Sequence, residues 1–173
     1  FLLNNNLNDL CRMLLRHGGQ TKYNVEHIGY NARLDTIQAA ILQIKLEYVD
    51  LFNKKRRQIA DFYNQSLSQI ENIKTPHPRN DVYDVVHQYT IRLKPESRDK
   101  VQSRMTALGI SSAIYYPVPL HKMKVFESRS QVAGDLSNAE LLCEEVLSLP
   151  IEPLIDETEL TRITQSLIRA TVD

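Results

Sequence analysis

A phenol, an amide and a guanidinium occur within four residues of the sequence, at Tyr30, Asn31 and Arg33. Asp35 follows as a favoured helix N-cap residue, and Gln38 three positions later completes a capping-box pattern. The N-terminus of a helix carries partial positive charge and unpaired backbone N–H groups, so it favours negatively charged groups. This segment is therefore the first candidate for a functional site.

The helix that would position this segment is predicted to be long. Apolar residues recur at the spacing of one buried helical stripe, and no glycine or proline occurs between Thr36 and Pro76. A helix of about thirty residues would span roughly 45 Å. Its apolar positions are Leu34, Ile37, Ile41, Ile44, Tyr48, Leu51, Phe52, Ile59, Phe62, Tyr63 and Leu67.

The rest of the chain alternates between helical and extended patterns, which predicts an α/β or α+β fold with a small mixed or antiparallel sheet. Residues 20–30 are predicted to form an ordered loop that buries Tyr23, Ile28 and Tyr30. Phe1–Leu3 has the pattern of a strand with no partner before it, so we expect the chain to be the C-terminal part of something larger. The predicted helices cover residues 7–17, 95–108, 136–147 and 156–171, and the predicted strands cover 73–76, 82–93, 110–116 and 148–151.

Three details of these helices are also predicted. In the first helix, Leu10, Met13 and Leu14 are expected to face inward. Gly109 is expected to end the helix over 95–108. Asp156 is expected to cap the last helix, with Glu159 at the third helical position.

The composition favours a soluble, globular protein, with 42% hydrophobic and 24% charged residues among 173. The formal net charge is zero, so no overall field favours nucleic acid or an anionic membrane as a partner. No apolar run approaches the length of a membrane span, and no secretory signal pattern opens the chain. We expect a cytoplasmic protein that binds neither nucleic acid nor membrane.

The sequence shows no metal-binding pattern. Cys11 and Cys143 are far apart, and the five histidines show no ligand spacing. The basic run 54–57 circles a helix rather than forming one face, so it indicates a solvated helix and not a nucleic-acid site.

Residues 29–42, Gly-Tyr-Asn-Ala-Arg-Leu-Asp-Thr-Ile-Gln-Ala-Ala-Ile-Leu, resemble the G-x-N-x-R-[LM]-x-x-[IL]-Q-A-A-[IL]-L signature of the DegT/DnrJ/StrS family. These are pyridoxal-phosphate (PLP) sugar aminotransferases. Residues 12–19 with Lys22 and Tyr23 resemble the R-x-L-x-x-H-G segment and K-Y pair of the family. Residues 115–121 resemble its H/Y-Y-P-x-P-L-H segment, and 149–151 its late L-P-x strand. Four motifs in the same order cover almost the whole chain.

The resemblance implies the C-terminal portion of a fold-type-I PLP-dependent transferase. Residues 1–50 would be the tail of the cofactor-binding large domain and the start of the long interdomain helix. Residues 51–173 would be the small C-terminal domain. The whole enzyme would be a homodimer with a shared active site. It would transfer an amino group from an amino acid, glutamate in our expectation, to a keto sugar nucleotide.

The same resemblance implies that the chain carries no catalytic residue of its own. In the family, the Schiff-base lysine, the aspartate at the pyridine nitrogen and the phosphate-binding residues lie upstream of the matched segment. None of Lys22, Lys45, Lys54 and Lys55 matches the lysine position. We therefore expect this chain alone to be inactive and not to bind PLP covalently.

The matched positions nominate four site residues. Asn31 corresponds to the asparagine that reaches the PLP phosphate of the partner subunit; alternatively it is a left-handed turn residue. Arg33 either binds a substrate phosphate or pairs with Asp35 or Glu26. Tyr116 and His121 correspond to the segment near the sugar nucleotide, although a histidine after two prolines is also typical of a structural hydrogen bond.

One departure from the family concerns a histidine that often precedes the G-x-N motif. Val25 stands near that position here, so either His27 replaces the contact or the contact is absent.

Two alternatives remain open at this point. One is a non-catalytic regulatory or interaction protein of the same family, of the pleiotropic-regulator kind. The other is a sugar dehydratase on the same scaffold, in which a histidine replaces the Schiff-base lysine. If the chain is the C-terminal part of a larger protein, the missing part would leave the edge at Phe1–Leu3 and the inner face of the first half of the long helix uncovered. We therefore expect an isolated chain to self-associate or to be partly disordered before about residue 30.

Overall fold

Residues 5–21, 23–77 and 81–172 are described by a computed structural model, and the chain divides into two compact units between Val49 and Asp50. The predicted strand at Phe1–Leu3 lies outside the described residues.

The first unit contains two helices and a short hairpin. Helix α1 spans Asn5–Leu14, strands β1 (Gly19–Thr21) and β2 (Asn24–Val25) pair antiparallel, and helix α2 spans Thr36–Leu46. Helix α1 ends three residues before the predicted boundary. The α-helical ladder stops because the N–H of Arg16 donates to the Met13 carbonyl, three residues back, at 3.0 Å, and the N–H of His17 donates outside the helix. The left-handed backbone of His17 and Gly18, with φ of 64° and 90°, then turns the chain away.

The predicted burial in the loop is wrong. Tyr23, Ile28 and Tyr30 are all exposed, and the predicted loop contains the hairpin. Of the three α1 side chains predicted to face inward, only Met13 is buried. The apolar residues of this unit therefore form little core of their own.

The predicted long helix is interrupted. Helix α2 ends at Leu46 and helix α3 begins at Val49. The N–H groups of Glu47 and Tyr48 donate to carbonyls three residues back, at 3.3 and 3.1 Å, which tightens the chain and ends the α-helical ladder. No glycine or proline marks this break. Helix α2 buries none of its residues, so only the α3 half of the predicted stripe enters a core.

The second unit places four helices around a two-stranded sheet. In chain order its elements are α3 (Val49–Leu67), β3 (Tyr89–Arg92), α4 (Pro95–Ala107), α5 (Ser137–Glu145), β4 (Val146–Leu149) and α6 (Glu157–Thr171), with 3-10 turns at Leu120–Lys122 and Lys124–Phe126.

The sheet is antiparallel, which is one of the two predicted forms, but it has fewer strands than predicted. Strand β3 pairs with β4 in the register Tyr89↔Leu149 to Arg92↔Val146. The predicted strands 73–76 and 110–116 contribute single bridges, Lys74↔Arg92 and Ala113↔Ser148.

Strand β3 starts seven residues later than predicted because a turn precedes it. The carboxylate of Asp84 accepts the N–H of Val86 at 2.9 Å, and Val86 has a φ of 46°, which no strand tolerates. Strand β4 starts two residues earlier than predicted, because α5 ends at Glu145 instead of Leu147.

The core of the second unit lies between the sheet and the apolar faces of α3, α4 and α6. Its fully buried side chains include Tyr63, Leu67, Tyr89, Ile91, Met105, Leu147, Ile163 and Leu167. The predicted cap of α6 is confirmed, since Asp156 Oδ1 accepts the N–H of Glu159 at 2.8 Å. Asp35 occupies the N-cap position of α2 without a side-chain hydrogen bond, so the predicted capping box is not formed there.

Candidate functional site

The segment that carries Asn31 is held by main-chain hydrogen bonds to the end of α1. The N–H of Tyr30 donates to the Leu14 carbonyl at 2.7 Å, and the N–H of His17 donates to the Tyr30 carbonyl at 2.9 Å. On the other side of Asn31, the N–H of Ala32 donates to the Leu15 carbonyl at 3.2 Å. The backbone on both sides of the amide is therefore fixed.

A pair of glycines makes this arrangement possible. A Cβ at Gly29 would lie 2.1 Å from the backbone nitrogen of Gly18, and a Cβ at Gly18 would lie 1.7 Å from the carbonyl oxygen of His27. Only glycine fits where two backbones come this close. The Gly of the G-x-N segment and the Gly of the upstream H-G segment are thus in direct contact.

The side chains of Asn31 and Arg33 are exposed. Asn31 is not left-handed, so the turn-residue alternative lacks its defining conformation. Within residues 5–21, 23–77 and 81–172, Arg33 forms no ion pair, and the pairing with Asp35 or Glu26 is not present. Both side chains are therefore available to an anionic group from outside this unit.

Tyr116 and His121 line one cavity of about 710 Å³ in the second unit. The loop between them contains Pro117 and Pro119, which restrict its backbone. Apolar side chains of the loop, of the segment before α5 and of α5 itself form most of the wall. The lining residues are Tyr116, Val118, Pro119, Leu120, His121, Met123, Phe126, Ser130, Gln131, Val132, Ala133, Leu136, Ala139 and Cys143.

A carboxylate on α5 holds His121. The Nε2 atom of His121 lies 2.9 Å from Glu140 Oε1, and the ammonium of Lys122 donates to Glu140 Oε2. Hydrogen bonds from Lys122 and then His121 hold the pKa of the Glu140 carboxyl below its ordinary value, so the group is ionised at neutral pH. The imidazole is mostly covered, with 16% of its side-chain surface exposed.

Sequence reasoning missed Glu140, and no signal in the sequence pointed to it. It lies 19 positions after His121, too far for a local spacing rule.

A polar pocket of about 310 Å³ in the first unit was also not predicted from the sequence. This pocket is lined by Asp9, Arg12, Met13, Arg16, Gly19 and Gln20. The four-residue spacing of Arg12 and Arg16 was the available signal. The part of the chain that the structure describes contains no cluster of three metal-ligating side chains. No helix in that part is both long and apolar enough to cross a membrane.

Comparison with known protein families gives one match over almost the whole chain. The model described as the DegT/DnrJ/EryC1/StrS aminotransferase family matches residues 1–168.

Two relatives illustrate the range of names. The "Pleiotropic regulatory protein" of Geobacillus stearothermophilus is 37% identical over 163 residues, 93% of this chain and 43% of the relative. The "dTDP-3-amino-3,4,6-trideoxy-alpha-D-glucose transaminase" of Streptomyces venezuelae is 35% identical over 161 residues, again 93% of this chain and 42% of the relative.

Among solved structures, DesV of S. venezuelae superposes with a TM-score of 0.87 at 34% identity, covering 98% of this chain and 46% of that one. This likeness confirms the predicted fold class. The chain spans less than half the length of the curated relatives described above.

Proposed function

The chain belongs to the DegT/DnrJ/EryC1/StrS aminotransferase family, and from that membership we propose a sugar-nucleotide aminotransferase function for the complete protein. In this proposal an amino group passes from an amino acid, glutamate in the first instance, to the keto group of a nucleotide-linked sugar. The transaminase name of the S. venezuelae relative supports the substrate class.

The observation that carries the proposal is the shared cavity of Tyr116 and His121. A phenol and an imidazole are suitable hydrogen-bond partners for sugar hydroxyl groups. The surrounding apolar wall suits the C–H faces of a sugar ring, and a largely apolar pocket with few polar groups is typical of small-molecule sites. We assign Tyr116 and His121 to substrate binding.

The cofactor in this proposal is PLP, which would supply the aldehyde group needed to carry an amino group from the donor to the acceptor. Asn31 fits the phosphate of this group, because its amide is exposed and its backbone is fixed on both sides. An amide N–H donates to phosphate oxygens, and a charged acceptor strengthens such a bond. Arg33, exposed and without an ion pair in the described ranges, is assigned to a substrate phosphate, which a guanidinium binds with two hydrogen bonds.

We further propose that Asn31 serves the cofactor of a second copy, so that the active site is shared across a homodimer. Residues 1–50 then belong to the large domain and 51–173 form the small domain. The division of the chain between Val49 and Asp50 supports this boundary. No lysine of the chain is assigned to the Schiff base, so the chain by itself is expected to be inactive.

The decisive experiment uses the complete protein loaded with PLP. It is incubated with [15N]glutamate and a panel of dTDP- and UDP-linked keto sugars, and the sugar product is analysed by mass spectrometry. Incorporation of 15N into a nucleotide sugar supports the proposal. Loss of a hydroxyl group from the sugar without 15N incorporation would instead indicate a dehydratase.

A regulatory function is the second candidate, because a relative 37% identical over 93% of the chain bears the name "Pleiotropic regulatory protein". It predicts no 15N transfer to any sugar of the panel. It also predicts no change in PLP absorbance when glutamate is added.

A further inference from the structure

We propose that Glu140 is a positioning residue for the sugar site: it holds His121 with the proton on Nε2, so that Nδ1 accepts a hydrogen bond from a hydroxyl group of the acceptor sugar. The proposal rests on the function proposed above, because it needs a sugar in the cavity. Its first part, the state of the imidazole, does not depend on that function.

The geometry begins with the contact between His121 Nε2 and Glu140 Oε1 at 2.9 Å. An ionised carboxylate only accepts hydrogen bonds, so the ring nitrogen facing it carries the proton. In a neutral imidazole the other nitrogen, Nδ1, then has a free lone pair and acts as an acceptor. A sugar hydroxyl is a donor that matches it.

The carboxylate stays ionised because two donors share it. Lys122 donates to Oε2 while His121 occupies Oε1, and these bonds hold the pKa of Glu140 below its ordinary value. Each carboxylate oxygen therefore has its own partner from the loop.

The same contact joins two walls of the cavity. His121 belongs to the proline-containing loop, whereas Glu140 lies on α5 between Ala139 and Cys143, which also line the cavity. The N–H of Lys122 donates to the Pro119 carbonyl at 3.0 Å and closes the turn that carries His121. A bond from α5 to this turn therefore sets where the imidazole stands in the cavity.

The test uses the complete, PLP-loaded protein with 15N-labelled histidine, and compares the wild type with Glu140→Ala and Lys122→Met. His121→Asn identifies the His121 signals. In the wild type, we expect the neutral imidazole of His121 to show ring 15N shifts of the Nε2–H tautomer and a slowly exchanging Nε2 proton. Glu140→Ala should lose the slow exchange. Lys122→Met retains the carboxylate and should keep it.

The kinetic arm separates positioning from a merely structural role. Glu140→Ala should raise KM for the keto sugar about 5- to 10-fold, the effect of losing one neutral hydrogen bond. The rate at which glutamate converts the cofactor should stay within about 2-fold, since the donor does not use this bond. Glu140→Asp, which keeps an acceptor, should recover part of the loss.

Two results would overturn the proposal. One is an unchanged His121 spectrum in Glu140→Ala; the other is a changed spectrum with an unchanged KM for the sugar. If no keto sugar is aminated by the wild type, the function proposed above fails, while the spectrum still decides whether Glu140 sets the state of the imidazole.

Discussion

The rings of Tyr63 and Tyr89 lie 4.9 Å apart in the centre of the second unit, and each phenol has its own acceptor. Tyr63 donates to the Pro150 carbonyl at 2.8 Å, and Tyr89 donates to Asn64 Oδ1 at 2.7 Å. The pair joins α3 to strand β3 and to the end of β4. Both side chains are almost fully buried, and burial disfavours the charged phenolate form of each.

This pair predicts a loss of stability at alkaline pH. Burial raises the pKa of Tyr63 and of Tyr89 above the ordinary value of 10.0. The unfolded state therefore releases these protons first, and the stability that the neutral phenols contribute is lost as pH rises above 10. Urea unfolding at a series of pH values should show the free energy of unfolding falling in this range.

The controls for that measurement are Tyr63→Phe and Tyr89→Phe. Each removes a hydrogen bond and should cost about 1 to 2 kcal/mol at neutral pH. Each should also flatten the alkaline fall. A fall equally steep in both variants would mean that other groups cause it.

Asp156 and Asp35 both stand at the start of a helix, but we expect their replacement to lower stability by different amounts. Asp156 Oδ1 accepts the Glu159 N–H, whereas Asp35 makes no side-chain cap bond at the start of α2. Asp156→Ala should therefore lower the free energy of unfolding by about 1 kcal/mol, and Asp35→Ala should change it by only a few tenths. Thermal unfolding of both variants tests the contrast, and equal effects would contradict it.

The glycine contact predicts that Gly29→Ala disrupts the segment around Asn31. The added Cβ would meet the backbone of Gly18 at 2.1 Å, so the two segments must separate, at a cost of about 3 kcal/mol. Amide hydrogen exchange at Tyr30, whose N–H donates to Leu14, measures this directly. Exchange should accelerate strongly in the variant.

Gly134→Ala is the matched control. Gly134 has a φ of 84° but nothing within 4 Å of its added Cβ, so only the backbone cost of about 1 kcal/mol applies. Exchange at Tyr30 should not change. If Gly29→Ala behaves like this control, the close approach is not important for the first unit.

Substitutions of Asn31 should lower the affinity of the complete protein for PLP. Asn31→Ala should weaken PLP binding about 10-fold, the effect of losing one hydrogen bond to a charged group. Asn31→Asp should weaken it further, because the new carboxylate repels phosphate. Asn24→Ala removes another exposed asparagine of the same unit and should have no effect. PLP titration by absorbance distinguishes the three.

Tyr116 predicts a change confined to the acceptor sugar. Tyr116→Phe removes only the hydroxyl group, and should raise KM for the sugar about 3- to 10-fold with the glutamate reaction unchanged. Tyr115→Phe is the adjacent control, since Tyr115 is not among the residues that line the larger cavity. Equal effects in the two variants would remove Tyr116 from the site.

Helices with explicit terminal signals were predictable. For α6, the Asp156 cap gave the start, and for α4 Pro95 at the first helical position and Gly109 just beyond the end marked both boundaries. The break at Glu47 and Tyr48 was not predictable, because it consists of main-chain hydrogen bonds that reach three residues back instead of four, and no special residue type marks it. The late start of β3 depends on the Asp84 turn. The β-branched residues around Asp84 are typical of a strand, so the sequence pattern did not indicate this turn.

For the site, motif resemblance nominated Asn31, Arg33, Tyr116 and His121, and the structure brings Tyr116 and His121 to one cavity. Burial in the first unit could not be predicted in the same way. Periodicity indicates which face of a helix is apolar but not whether anything covers it, and the apolar residues of α2 are exposed. The partner of His121 required tertiary structure, since nothing local links position 121 to position 140.

The order of the core residues along the chain has a consequence for synthesis on the ribosome. The core of the second unit begins at Ile59, and α6 supplies Leu160, Ile163, Leu167 and Ala170, which close it. At a translation rate of about 5 to 20 residues per second, roughly 6 to 22 s separate the synthesis of Ile59 from that of Ala170. During that interval the apolar faces of α3 and α4 remain partly exposed, because α6 has not been synthesised. A ribosome that stalls before α6 would therefore expose an incompletely folded domain to chaperones and proteases.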